Sequence, residues 1–100
     1  MPRERRLPPI HPGKILLEDL RDMEVSINRL ARDLRVPVNR ISAIVNGNRS
    51  ITADTAMRLA RYFGTSSQYW MNLQTMYDLE VAAHSLASRI EREVLPRHAA

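Results

Sequence analysis

Asparagine and arginine crowd one stretch of this 100-residue chain, at Asn28, Arg29, Arg32, Arg35, Asn39, Arg40, Asn46 and Arg49. A carboxamide sets a donor beside an acceptor and matches the edge of adenine, while a guanidinium offers parallel donors that match guanine or a phosphate. These are groups for recognition rather than for reaction. Between Ser26 and Arg49 five arginines stand against a single acid, Asp33, and the rest of the chain carries ten basic and ten acidic residues; the formal charge of +4 therefore belongs to this segment alone. A basic cluster taken by itself is usually a solvated face, so the elements that carry it must decide.

Residues suited to catalysis are scarce. His11 precedes Pro12 and reads as a helix-entry residue, while His84 and His98 stand alone, with no HxxxH pair or metal-ligand cluster. Absence of cysteine excludes disulfides, zinc thiolates and thiol nucleophiles, and nothing points to an oxidising compartment. The three glycines form no phosphate-binding loop. Tyr69, Trp70 and Tyr77 are of a type that stacks single-stranded bases, but their helical spacing assigns them to a core. No catalytic residue, metal or cofactor is expected. The amino terminus MPRERRLPPIHPG is charged with no apolar run behind it, and no apolar stretch approaches the ~20 residues of a spanning helix. A soluble, cytoplasmic protein with no membrane partner is the expectation.

Proline, glycine and capping residues divide the chain into helices, and no run alternates with the period of a strand. The fold class is all-α: a five-helix helix-turn-helix domain with an additional C-terminal amphipathic helix. The first helix spans Pro12 to Met23. Ser26 caps a second that carries Ile27, Leu30, Ala31 and Leu34 on one face. Pro37 to Asn46 is the third, with Pro37 in the first turn and Gly47 as the stop. Thr52 caps a fourth that ends at Gly64, and Thr65 or Ser66 caps a fifth, Thr65 and Gln68 having capping-box spacing. Leu79 to Leu95 carries a further apolar stripe, which either continues the fifth helix or forms a sixth. Residues 1–9 read as a flexible segment, 10–78 as the domain with its motif at 26–47, and 79–95 as the C-terminal helix; 96–100 also look loosely ordered.

Two short helices joined by a tight turn can cross only where a small residue sits at the crossing and apolar residues fill fixed places around it. Ala31 is that residue, and Leu30, Leu34, Val36, Ile41 and Ile44 fill the frame. Such a frame leaves the other face of the third helix exposed, and a helix fits the major groove, about 12 Å wide. Val38, Asn39, Arg40, Ser42 and Ala43 are placed for base edges; Asn28, Arg29, Asn46, Arg49 and Ser50 are placed for the sugar-phosphate backbone. The local charge then has a purpose, since phosphate neutralisation supplies most non-specific affinity.

The segments HPGKILLEDL and LARDLRVPVNRISAIVNGNRSITADTAMRLARYFGTSSQYWMNLQTMYDL together resemble the HigA antitoxins of the lambda-repressor-like class. The resemblance covers about Ile10 to Leu79 and rests on HPG, VPxNRI, the Gly47 loop into Ser50-Ile51-Thr52, Arg61-Tyr62-Phe63-Gly64 and Trp70, in order. It implies a dimer that represses its own operon by binding double-stranded operator DNA and that neutralises a small basic toxin of the HigB type, a RelE-like mRNA endonuclease. The alternative is a transcription regulator without a toxin partner. Three positions depart from the family pattern. Arg35 replaces the usual turn glycine, which implies a side chain at positive φ, a cost of about 1 kcal/mol, and a turn altered in shape. Ile27 replaces a glutamine that contacts DNA. Lys14 replaces a glutamate after HPG, outside the DNA-binding unit, where it bears on toxin contact.

The stripe beyond Leu79 can be buried on its own chain, on a second copy or on a toxin. Symmetric readers bind paired half-sites, so a homodimer through Leu79, Ala83, Leu86, Ile90 and Val94 is expected. Glu18, Asp19, Asp22 and Glu24 offer an acidic surface of the kind that faces a basic nuclease, although acidic helix faces are most often just solvated.

Overall fold

A computed structural model describes residues 8–97, which form α1 (Pro12–Met23), α2 (Ile27–Leu34), α3 (Val38–Val45), α4 (Ala53–Phe63) and α5 (Ser67–Glu93) joined by turns. Residues 1–7 and 98–100 lie outside the described residues, and with them His98 and most of the two terminal segments expected to be loosely ordered. The fold is all-α, and the stretch after Leu79 proves to be the second half of α5 rather than an additional helix. No glycine or proline interrupts the chain from Ser67 until Pro96, so α5 runs unbroken for 27 residues. It stops at Glu93, and Val94 is a C-cap with extended backbone rather than a member of the helical stripe.

Local chemistry accounts for the boundaries. Ser26 Oγ accepts from the Arg29 amide and Ser66 Oγ from the Tyr69 amide, each at 3.0 Å, satisfying donors that a helix start leaves free. Ser66 is thus the cap of α5. Thr65 Oγ1 instead accepts from Trp70 Nε1 at 2.9 Å, and Gln68 binds Asn72, so no capping box forms. Pro37 is the N-cap of α3, one position earlier in its role than expected, and α3 begins at Val38. At the other ends, the amides of Val25, Val36 and Thr65 bond back to the carbonyls of Leu20, Ala31 and Ala60, the Schellman pattern. Each needs a left-handed residue, and these are Glu24, Arg35 and Gly64, of which only the last is glycine.

Leu16, Leu20, Leu30, Ala31, Leu34, Ile41, Ile44, Ile51, Ala56, Leu59, Ala60 and Trp70 form the core. Every residue of the predicted crossing frame is buried there except Val36, which is half-buried against it. α2 packs on α3, α1 lies against α3, and α4 lies against α5. The HPG sequence explains the α1–α3 contact: His11 Nδ1 accepts from the Gly13 amide at 2.9 Å, Pro12 opens the helix, and Gly13 meets α3 so closely that a Cβ there would collide with the carbonyl of Ile44. Gln74, also buried, accepts from the Ile51 amide at 2.8 Å and donates to Asp78 at 2.9 Å, tying the α3–α4 loop to α5. Among the described residues no buried side-chain nitrogen or oxygen lacks a partner. Trp70 is buried, whereas Tyr69 is exposed and Tyr77 half-buried, so the expectation of a shared core face holds fully only for Trp70.

Candidate nucleic-acid interface

The direction of each α3 side chain follows from its core contacts. At about 100° per residue, buried Ile41 and Ile44 define the inward side, so Asn39 and Asn46 face directly outward. Ser42 and Ala43 flank them, and Val38 and Arg40 fall at the two margins. Exposure agrees: Asn39, Asn46 and Val38 are exposed, while Ser42, Ala43 and Arg40 are half-buried. The helix thus presents two carboxamides, a hydroxyl and two small apolar groups on one uncovered face. Such a set can hydrogen-bond base edges and touch a thymine methyl.

The remaining candidates are all exposed. Asn28 and Arg29 stand in the first turn of α2, where Arg29 Nε binds Asp33 Oδ2 at 3.0 Å, an open pair one helical turn apart. Arg49 and Ser50 follow Gly47 in the loop to α4. None of the ten residues named from the sequence is buried. Ile27, by contrast, is half-buried and packs on the core, which accounts for an apolar residue there.

Arg40 has a partner that spacing could not reveal. Its Nη1 donates to Asp54 Oδ2 at 2.7 Å, and Arg58 Nε donates to the same oxygen at 3.0 Å. The hydrogen bonds from Arg58 and Arg40 hold the Asp54 carboxyl below its ordinary value. The i, i+4 relation of Asp54 to Arg58 is legible in the chain; the link to Arg40 requires α3 and α4 to be packed.

His11 sits beside this region. Its ring lies edge-on to Tyr77, centroids 4.8 Å apart. Burial pushes its pKa below 6.5, against the opposing effects of Asp78 and of backbone hydrogen bonding with Arg49. His84 is exposed on the second half of α5. Among the described residues, no group of three His, Asp or Glu residues is placed to hold a metal, and no helix is long and apolar enough to cross a membrane. On α1, Glu18 and Asp22 are exposed and Asp19 is half-buried, and Glu24 is exposed just past its end; burial chiefly, with Asp22 and Glu18 nearby, pushes the Asp19 carboxyl up.

The C-terminal half of α5 touches none of this. Leu79, Ala83, Leu86 and Ile90 are exposed along it, as is Val94 just past its end. Among the described residues, then, none covers this stripe, and burial on the same chain, one of its three options, is not seen there.

Comparison with known proteins supplies independent findings. The HTH_3 helix-turn-helix family matches residues 17–70. Virulence-associated protein I of Dichelobacter nodosus is 51% identical over 80 residues, 79% of this chain and 74% of that protein. An addiction module antidote protein of the HigA family from Coxiella burnetii superposes with a TM-score of 0.89 at 51% identity, covering 91% of this chain and 100% of that one. The Pseudomonas aeruginosa antitoxin HigA, solved with the higBA promoter, superposes with a TM-score of 0.87 at 45% identity, covering 90% and 99%.

Proposed function

The chain belongs to the HTH_3 helix-turn-helix family and within it to the HigA antitoxins, and on that premise we propose that it neutralises a HigB-type, RelE-like mRNA-cleaving toxin and represses its own operon. It binds double-stranded operator DNA as a homodimer and works in the cytoplasm by binding rather than by catalysis. The observation that carries the reading is the outward face of α3. Asn39 and Asn46 stand exposed there with half-buried Ser42 and Ala43 beside them, over a complete crossing frame and within the one segment that holds the excess positive charge.

In this reading Val38, Asn39, Arg40, Ser42 and Ala43 meet base edges, while Asn28, Arg29, Asn46, Arg49 and Ser50 hold the phosphate backbone. Residues 10–78 are the DNA-binding unit, and 79–95 bring two copies together so that two α3 helices reach half-sites about 34 Å apart. A toxin of this type is basic, and Glu18, Asp22 and Glu24 on and after α1 offer charge of the opposite sign.

The test is growth. A small basic reading frame adjacent to the one encoding this chain is expressed with and without it. Arrest relieved by co-expression is expected. A neighbour that is harmless, or arrest that persists, would leave a plain transcription regulator and overturn the antitoxin assignment.

A further inference from the structure

We propose that Asp54 is a positioning residue for Arg40, setting its guanidinium to read a guanine in the operator, so that sequence discrimination depends on a carboxylate outside the recognition helix. The proposal rests on α3 being that helix. Arg40 is third in α3, at the margin of the outward face, and Asp54 stands in the first turn of α4. Asp54 Oδ2 accepts from Arg40 Nη1 at 2.7 Å and from Arg58 Nε at 3.0 Å. Arg58 is itself anchored, because its Nη1 donates to the Leu34 carbonyl at 2.9 Å, at the end of α2 where helix carbonyls have no intrahelical partner. The chain of contacts from Leu34 through Arg58 and Asp54 to Arg40 thus joins α2, α4 and α3, and it fixes Asp54 from behind.

A solvent-open ion pair adds little to stability; orientation is what it supplies. The guanidinium is a planar fork with five N–H donors. Asp54 takes one Nη1 hydrogen, and Nε and Nη2, the edge that can span guanine O6 and N7, have no protein partner among the described residues. A side chain already held in its reading position loses less freedom on binding. The carboxylate also has a second effect, because it offsets positive charge beside a polyanion and so weakens binding to DNA of any sequence. Orientation acts only at the matched guanine and so raises the ratio of specific to non-specific affinity, whereas the charge effect lowers both affinities alike.

The experiment compares two duplexes, one selected by the wild-type chain from a random pool and the same composition scrambled, across a range of salt. Asp54→Ala is expected to bind the scrambled duplex more tightly, with a salt dependence steeper by about one phosphate contact, and to lose about tenfold in the specificity ratio at one guanine. Asp54→Asn, which keeps the shape and removes the charge, moves the same way. Arg40→Ala loses the same discrimination, and adding Asp54→Ala to it lowers the ratio no further. An unchanged ratio in both Asp54 variants overturns the proposal, as does a parallel fall in both affinities with a lower melting temperature, which marks a purely structural role. A wild-type chain that selects no sequence at all would defeat the operator reading itself, and the two failures are distinct.

Discussion

Arg35 closes α2 with φ 61° and ψ 45°, the left-handed conformation that glycine adopts without penalty. Its place was legible from the sequence because the residue stands where a turn glycine is usual. The expected change in turn shape is absent: the Val36 amide still reaches the Ala31 carbonyl at 3.0 Å, so the Schellman geometry is kept and the cost falls on the backbone of Arg35. Arg35→Gly is expected to stabilise the protein by about 1 kcal/mol, raising the melting temperature by roughly 4–8 °C in thermal unfolding. His11 yields a prediction in pH. Its Nδ1 must be unprotonated to accept from Gly13, and burial keeps its folded pKa below the ordinary 6.5. The unfolded chain therefore takes up the proton first. The stability that His11 contributes is complete above 6.5 and is lost as pH falls from there through the lower folded value. His11→Asn, which caps without titrating, should show a shallower decline between pH 7.5 and 5 in denaturant unfolding. Parallel curves for the two proteins would show that the cap does not titrate.

Among the elements, the helix-turn-helix was the most readable because its rule is local. The frame around Ala31 spans α2, the turn and α3, and each member is either an i, i+3/i+4 neighbour or lies across one short turn. Caps at Ser26 and Gly64 follow from side chains that act within a few residues. Where the expectation slipped, at Pro37 and at Thr65, two local options of similar propensity competed. Thr65, for instance, was drawn to the Trp70 indole. The outward residues of α3 carry the prediction for this scale. Replacing Asn39 and Arg40 together by alanine is expected to abolish operator binding in a gel-shift assay while the helical circular dichroism and any toxin complex persist, since neither side chain supports the core. Retained operator affinity would remove α3 from the recognition role.

For the whole molecule the decisive feature is the long α5. Its first half is anchored by Trp70 and Gln74; its second half projects, and the molecule extends 55 Å along its major axis against 22 Å along its minor. Leu79 and Ile90 are 65% and 49% exposed there, and Leu79, Ala83, Leu86 and Ile90 recur at spacings of four, three and four, the seam of a two-helix contact. An apolar face open to water on a lone helix is what the proposed homodimer contact would cover. Leu86→Asp with Ile90→Asp is expected to yield monomers by light scattering, with weakened operator affinity because two half-sites are no longer held by one particle. A dimer that survives both changes would place the interface elsewhere.

Composition and spacing alone were enough for the all-α class, the crossing at Ala31, the location of the charge and the candidate reading face, because each depends on periodicity or on contacts within a few residues. Tertiary structure decided the rest. Gly13 is constrained by the backbone of α3, Gln74 by Ile51, and Arg40 by an aspartate fourteen residues further on. Only the packed helices show that Leu79, Ala83, Leu86 and Ile90 stay exposed among the described residues. These are relations between surfaces brought together by core burial, and no local pattern records them. The helix-turn-helix that the sequence announced is therefore also the place where packing adds most, since it supplies Arg40 with the carboxylate that orients it.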